Sequence, residues 1–202
     1  MNQAKQVEIR KATVRDVSAI LEIVNEYAQD QVMLARSPLA VYENLRDYVV
    51  AVSENRIIGC GALHVVWGDL SEIRSIAVRK DFKSGGIGKK IAKALLSEAH
   101  ALLLPKVFAF TYVPGFFEAL GFRVVPHSEL PHKVFTDCLN CPKFNACDEI
   151  AVLIELRAVE GTFPQTGPLS RPVPGLFQGP FPQTNSSTPT KGSSAKEKQK
   201  DE

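Results

Sequence analysis

A glycine-rich turn between a strand pattern and a helix pattern is the feature that most restricts the fold of this chain. Residues 72–78 are typical of a strand, and the apolar residues from Ile87 to Leu102 recur at three- and four-residue spacing, which predicts a helix. Residues 83–88 between them contain three glycines. A helix N-terminus offers unpaired N–H groups to anions, and glycine lets a bulky phosphate approach the backbone. This order of elements predicts an anion-binding turn in an α/β protein.

Lysines surround the same turn. Lys83, Lys89 and Lys90 place positive charge at the start of a helix, where it opposes the helix dipole, and an anionic ligand accounts for them. The glycine spacing matches neither the dinucleotide motif nor the nucleoside-triphosphate motif, which disfavours NAD and ATP. The alternative interpretation is a solvent-exposed glycine turn without a ligand.

The other patterns predict a mixed α/β domain over residues 7–157. Thr13 and Asp16 have the spacing of a helix cap, and the helix behind them runs to about Gln29. A second helix begins at Ser37-Pro38 and ends near Arg46. Further strands and one short helix are predicted as follows: strands at 7–10, 48–52, 57–66, 107–111, up to 125 and 149–156, and the helix at 116–121.

Composition restricts the class of protein and its partners. Of the 202 residues 45% are hydrophobic and 23% charged, with a net charge of +2, which is typical of a soluble globular protein and argues against nucleic acid as a partner. No apolar run is long enough to cross a membrane, and residues 1–6 have no secretory signal. We therefore expect a cytoplasmic protein. Residues 158–202 are rich in Pro, Gly and Ser and are predicted to be disordered, and residues 1–6 to be flexible.

The turn Lys83-Ser84-Gly85-Gly86-Ile87-Gly88 resembles the [Gln/Arg]-x-x-Gly-x-[Gly/Ala] motif of the GNAT superfamily of acetyl-CoA-dependent N-acetyltransferases. Lys in the first place keeps the charge but lacks the fork geometry of Arg. The chain is most similar to the acetyltransferase domain of N-acetylglutamate synthases, in the short form without a kinase domain. The similarity is carried by residues 34–37, 58–64, 71–78, 130–134 and 138–149.

This resemblance implies the fold and the reaction. The fold is a central mixed, mostly antiparallel sheet flanked by helices. The reaction is acetyl transfer from acetyl-CoA to the α-amino group of an amino acid, with L-glutamate favoured, as the first step of arginine biosynthesis. The amine attacks directly, without a covalent enzyme intermediate. The resemblance leaves the oligomeric state open between a monomer and a homodimer.

The resemblance also implies how the cosubstrate binds. Backbone amides of Ile76, Ala77 and Val78 pair with the pantetheine arm, and one of them polarises the thioester carbonyl. The pyrophosphate lies on the glycine turn. The residues implied in this contact are Lys83, Ser84, Gly85, Gly86, Ile87, Gly88 and Lys89.

Glu72 corresponds to the glutamate proposed as the base in N-acetylglutamate synthases. Its even offset from Ile76 puts the two on one strand face unless a β-bulge intervenes, and the family typically has a bulge there. The alternative interpretation is a Glu72 that points to solvent beside Arg74. Many relatives have a Tyr at the place of Phe117 to protonate the leaving thiolate, whereas the closer subfamily has Phe. Ser75 and Tyr112 are the remaining candidate proton donors.

A dicarboxylic amino acid needs cations that fix its carboxylates. Arg36 matches an arginine of the glutamate-binding set and Lys133 falls where the family has a basic residue. Arg74 is a further candidate to which the resemblance assigns no role. Further basic residues that long synthases carry in the last strand are not matched here. Each cation has the alternative interpretation of an ordinary surface charge.

The cysteines allow a different class of function. His132, Cys138, Cys141 and Cys147 have the chemistry of zinc ligands, but only one pair has tight spacing, so no metal is expected. Cys60 lies in an apolar strand and is predicted to be core. Two alternatives therefore stay open: a GNAT enzyme for another amine, and a CoA-binding module that responds to zinc or to redox state through these cysteines.

Overall fold

The computed structural model describes residues 6–83, 85–130, 141, 143 and 146–156. The chain divides into two units, residues 1–161 and 162–202, and every described residue lies in the first. The predicted tail from 158 to 202 lies outside the described residues. The strands are β1 (Glu8–Lys11), β2 (Tyr48–Ser53), β3 (Arg56–Trp67), β4 (Leu70–Val78), β5 (Lys106–Thr111), β6 (Arg123–Val125) and β7 (Ile150–Glu155). The α-helices are α1 (Val17–Gln29), α2 (Pro38–Glu43), α3 (Ile87–Ala101) and α4 (Pro114–Glu118).

All seven strands form one sheet in the order β1-β2-β3-β4-β5-β7-β6. From β1 to β4 each strand pairs antiparallel with the next one along the chain, and the β2–β3 and β3–β4 pairs are hairpins. The β4–β5 pair is parallel, because α3 crosses between these two strands and returns the chain in the same direction. Antiparallel pairing resumes between β5, β7 and β6. The predicted mixed, mostly antiparallel sheet is confirmed.

A β-bulge interrupts the pairing of β3 with β4. Cys60 lies opposite Ala77 and Ala62 lies opposite Arg74, so two steps along β3 correspond to three along β4. Ser75, within the longer stretch, has a φ of 55°, in the left-handed region that non-glycine residues rarely adopt. The extra residue moves every side chain after it to the other face of the sheet. The bulge expected from the resemblance is confirmed.

Helices cover both faces of the sheet. α3 packs on one face through Ile91 and Leu95. The helix lies so close to β3 that a Cβ on Gly61 would be only 2.7 Å from Cγ2 of Ile91. α1 packs on the opposite face through Ile20 and Ile23. No described helix is both long enough and apolar enough to span a membrane. The two predicted long helices thus bury their apolar stripes on opposite sides of β3 and β4.

The second helix is shorter than predicted. α2 ends at Glu43, not near Arg46, because Asn44 at its end donates a side-chain hydrogen bond to the carbonyl of Ala40 at 2.8 Å. Asn is a residue whose side chain competes with the helical backbone in this way. A 3₁₀ turn over Leu45–Asp47 then leads into β2.

The entry to α1 is tied down by an ion pair. Arg10 donates to both carboxylate oxygens of Asp16, at 2.7 and 2.9 Å, and the backbone N–H of Thr13 donates to the same carboxylate at 2.7 Å. Asp16 is buried, with 6% of its surface exposed. The hydrogen bonds from Arg10 lower the pKa of Asp16 to about 2, against the burial that opposes them. The predicted cap of Thr13 and Asp16 is confirmed.

Asp16→Asn should remove about 2 kcal/mol from the free energy of unfolding at pH 7. Because the pKa is lowered from 3.8 to about 2 in the folded chain, the carboxylate stabilises the fold above the higher value. That stabilisation is lost as the pH falls towards 2. Urea unfolding from pH 7 to pH 2 should therefore show the difference between wild type and variant shrinking only below pH 4. Asp69→Asn, at an exposed carboxylate, is the control; a pH-independent difference for Asp16→Asn would contradict this.

Candidate active site

The strands β4 and β5 separate and leave a cavity in the middle of the sheet. Their pairing covers three residue pairs and ends at Glu72 and Phe108, although both strands continue. Beyond that point a cavity of about 810 Å³ opens between them. Its wall is formed by residues 32–34, Arg36, 72–78, 82–83, 86–89, 110–113, 116 and 117, with Tyr27 and Glu149.

The edge of β4 faces this cavity. From Ile73 onward, β4 has β3 as its only strand neighbour in the described part of the chain. Every second backbone N–H and C=O of a strand points to each side, so the side towards β5 offers backbone groups to a ligand. Ile76, Ala77 and Val78, the predicted cosubstrate-binding residues, all line the cavity at this edge.

The N-terminus of α3 closes one end of the cavity. Gly86 precedes the helix with a φ of 69°, and the first intrahelical bond runs from the N–H of Lys90 to its carbonyl at 3.1 Å. The N–H groups of Ile87, Gly88 and Lys89 come before that bond and have no acceptor within the helix. Gly86 and these three residues line the cavity together with Lys83. Gly85 is not part of the wall, and Ser84 lies outside the described residues.

A tyrosine that the sequence did not single out braces this end of the cavity. The Tyr27 hydroxyl on α1 donates to the carbonyl of Val78 at 2.6 Å. The ammonium group of Lys83 lies 4.9 Å from the centre of the Tyr27 ring, within range of a cation–π contact. These two contacts join α1, the end of β4 and the glycine turn. Sequence offers no signal for them, because 51 residues separate Tyr27 from Val78.

Arg36 reaches the bulge from the segment between α1 and α2. Its backbone is held by the side chain of Asn25, which donates to the Arg36 carbonyl at 3.1 Å and accepts from the Arg36 N–H at 2.9 Å. Nε of Arg36 donates to Oγ of Ser75 at 3.4 Å. The structure therefore brings together Arg36 and Ser75, which are far apart in sequence.

Glu72 and Arg74 lie just before the bulge and line the same cavity. Glu72 is buried, with 2% of its surface exposed, so it does not point to solvent. Asp47 lies 3.8 Å from the Arg74 guanidinium and 2.7 Å from Nδ1 of His64. Arg74 and Glu72 are two residues apart on the face that carries Asp47, whereas Ile76, after the bulge, packs on the α3 side.

Two buried groups lie beneath the bulge. Burial raises the pKa of Tyr48, and the hydrogen bond with Ser75 and then the charges of Arg36 and Arg74 oppose that rise. Burial also raises the pKa of the Cys60 thiol to about 12, and Cys60 is fully buried, so the prediction that it belongs to the core is confirmed. A buried thiol of this kind is unreactive.

Tyr112 lies on the opposite wall at the end of β5. Its hydroxyl donates to Asp148 at 2.6 Å and accepts from Lys143 at 2.9 Å. The pKa of Tyr112 is raised, first by burial and then by the hydrogen bond to Asp148, so the phenol holds its proton. Phe117, where many relatives have Tyr, is also part of the wall.

Two of the four candidate metal ligands and one candidate substrate cation lie outside the described residues. These are His132, Cys138 and Lys133. Cys147 is exposed and Cys141 is partly exposed. Within the described ranges, no three His, Cys, Asp or Glu side chains are arranged to hold a metal ion.

Comparison with known proteins decides the family. A family model described as "Acetyltransferase (GNAT) family" matches residues 17–122, which include β4, the glycine turn and α3. The chain belongs to the GNAT acetyltransferase family. It is an acetyl-CoA-dependent N-acetyltransferase, and the cavity between β4 and β5 is its candidate active site.

Two relatives are similar over most of their own length. The chain is 40% identical to an uncharacterized N-acetyltransferase of Chlorobaculum tepidum over 148 residues, which cover 72% of this chain and 94% of the relative. It is 36% identical to an amino-acid acetyltransferase of Mycobacterium tuberculosis over 132 residues, which cover 64% of this chain and 75% of the relative. Both relatives are thus matched over three quarters or more of their own length.

Two solved structures share the fold. One is Rv2747 from Mycobacterium tuberculosis in complex with CoA and NLQ, with 31% identity and a TM-score of 0.65 over 74% of this chain and 99% of that one. The other is N-acetylglutamate synthase from Neisseria gonorrhoeae complexed with coenzyme A and N-acetyl-glutamate, with 21% identity and a TM-score of 0.68. This match covers 76% of the present chain and 36% of that one.

Lys83→Met should weaken CoA binding about tenfold, because Lys83 lines the cavity beside the α3 N-terminus and offers a cation to the pyrophosphate. Lys90→Met is the matched control, since Lys90 carries the same charge on the first turn of α3 but is not part of the wall. Isothermal calorimetry with CoA at two salt concentrations measures both. Equal losses of affinity would mean that overall charge, rather than contact at Lys83, attracts CoA.

Proposed function

We propose that this enzyme transfers the acetyl group of acetyl-CoA to the α-amino group of L-glutamate, the first step of arginine biosynthesis. The observation that carries the proposal is the presence of three charged side chains at the bulge: Arg36 contacts Ser75, and Glu72 and Arg74 lie just before it on the same strand. All three line the cavity of a GNAT fold. The amino-acid acetyltransferase among the relatives supports an amino acid as acceptor.

In this proposal the two arginines hold the acceptor by its carboxylates. Arg36 reaches the cavity from the α1–α2 segment and Arg74 from the sheet, so they approach from different directions. A dicarboxylic amino acid has one carboxylate for each, and guanidinium groups bind carboxylates through paired hydrogen bonds. Lys133, outside the described residues, is proposed as a further cation for the same substrate.

Glu72 is proposed as the base. The α-ammonium group must lose a proton before its nitrogen attacks, and a buried carboxylate beside the cavity suits that task. The nitrogen then forms a bond to the thioester carbonyl carbon, and the oxygen gains negative charge. One backbone N–H among Ile76, Ala77 and Val78 is proposed to stabilise that oxyanion.

The intermediate collapses when the carbon–sulfur bond breaks and the CoA thiolate leaves with the electron pair. The remaining extra proton passes from the nitrogen to the thiolate, relayed by a hydroxyl on the wall, so the products are the N-acetyl amino acid and free CoA. Ser75 and Tyr112 are the proposed hydroxyl donors on the wall. Because Tyr112 donates its proton to Asp148, we favour Ser75.

Turnover of L-glutamate should exceed that of L-glutamine, L-aspartate and a lysine peptide, as measured by release of free CoA. Arg36→Met should raise the KM for glutamate at least tenfold, because it removes a charge-assisted contact. The KM for acetyl-CoA should change little. No turnover of glutamate, with turnover of another of these amines, would assign the enzyme to that acceptor instead.

Glu72→Gln should lower kcat by roughly 100-fold near pH 7, because the amide cannot take the ammonium proton. The loss should shrink as the pH rises, since hydroxide and the free amine then replace the base. Glu43→Gln, at an exposed glutamate of α2, is the control and should match wild type. Full activity of Glu72→Gln from pH 6 to pH 9.5 would rule Glu72 out as the base.

A further inference from the structure

Two residues near the end of α1 contact opposite sides of the active-site cavity. Asn25 contacts the backbone of Arg36, and Tyr27 contacts the end of β4. Residues two apart on a helix point in directions about 160° apart, so one stretch of helix reaches two different elements. The apolar stripe of α1 lies at Ile20, Ile23 and Val24, and the Tyr27 ring packs against that cluster as well.

The contact of Asn25 with Arg36 is specific in both of its bonds. The side-chain NH₂ donates to the Arg36 carbonyl at 3.1 Å, and the side-chain oxygen accepts from the Arg36 N–H at 2.9 Å. Arg36 offers one backbone N–H donor and one carbonyl acceptor, and the Asn25 amide matches both because it carries an acceptor oxygen and a donor NH₂. Asp at this position would lose the donor and place a charge against the carbonyl.

This pair of bonds fixes the position from which the Arg36 side chain starts. Arg36 lies between α1 and α2, in a segment without regular secondary structure, and Gln31 in that segment has a φ of 58°. An irregular backbone must be ordered by contacts of its own, because ordering it costs conformational entropy. With its backbone held by Asn25, the guanidinium reaches Ser75 at the bulge, at 3.4 Å from Nε to Oγ.

Tyr27 makes the corresponding contacts on the cosubstrate side. Its hydroxyl donates to the carbonyl of Val78 at 2.6 Å, where β4 ends before the glycine turn. Its ring lies 4.9 Å from the ammonium group of Lys83. Both partners line the cavity where the cosubstrate of a GNAT enzyme binds.

We propose that Asn25 is a positioning residue for the acceptor, acting through Arg36, and that Tyr27 is a positioning residue for acetyl-CoA, acting through Val78 and Lys83. The acceptor half rests on the proposed function, in which Arg36 holds a substrate carboxylate. α1 thereby sets the distance between the two substrates from a single rigid element.

Steady-state kinetics of Asn25→Ala and Tyr27→Phe with both substrates varied test the proposal. Asn25→Ala should raise the KM for glutamate about tenfold, keep kcat within about twofold and leave the KM for acetyl-CoA unchanged. Tyr27→Phe keeps the ring near Lys83 and loses the bond to Val78, so it should raise the KM for acetyl-CoA several-fold without changing the KM for glutamate. Gln29→Ala, at an exposed residue of the same helix, should change neither.

Asn25→Asp keeps the size of the side chain and protects the test against a loss of folding. It should raise the KM for glutamate at least as much as Asn25→Ala, with a melting temperature close to that of wild type. Equal rises in the KM for glutamate and the KM for acetyl-CoA in either the Asn25 or the Tyr27 variant would overturn the proposal. So would an unchanged KM for glutamate in both Asn25 variants while Arg36→Met raises it. Absence of glutamate turnover in wild type would instead remove the proposed function, and the acceptor half with it.

Discussion

The bulge at Ser75 is the constraint on which the rest of the active site depends. It turns the end of β4 over, so that Glu72 and Arg74 project on one face and Ile76 packs with α3 on the other. It also coincides with the region where β4 no longer pairs with β5. The extra residue thus lies where the sheet opens and a backbone edge is exposed, between the proposed acceptor side and the proposed cosubstrate side.

The charged side chains around the cavity form two groups. On the proposed cosubstrate side, Lys83 and Lys89 accompany N–H groups that have no acceptor within the helix, and together these favour an anion. On the proposed acceptor side, Asp47 lies close to both Arg74 and His64, and the buried Glu72 lies two residues from Arg74. A mixture of buried acid and base suits a zwitterionic substrate better than a purely anionic one, because both of its charges then find partners.

Local patterns were sufficient to predict the elements that form this site. The alternation in β4, the glycines before α3 and the spacing of Thr13 and Asp16 all act within a few residues, and the structure bears out the elements they predicted. The side chains that hold the site in place were not predictable in this way. Tyr27 and Val78 meet across 51 residues and Asn25 and Arg36 across 11, and such pairs leave no periodicity in the sequence.

The predicted length of α2 was wrong for a related reason. Asn44 continues the polar pattern of a helix, but its side chain bonds the carbonyl of Ala40 and ends the helix there. The roles of Glu72, Ser75 and the arginines stay predictions, since geometry brings side chains together without revealing the substrate.

A crystal structure of the enzyme with CoA and N-acetyl-L-glutamate bound together is the most direct measurement of the central claim. We expect the pantetheine arm to lie in the cavity between β4 and β5, with hydrogen bonds to the backbone of residues 76–78. We also expect a carboxylate of the product about 3 Å from the Arg36 guanidinium. A pantetheine arm outside the cavity, or a product whose carboxylates lie away from both Arg36 and Arg74, would contradict the assignment of this cavity as the active site.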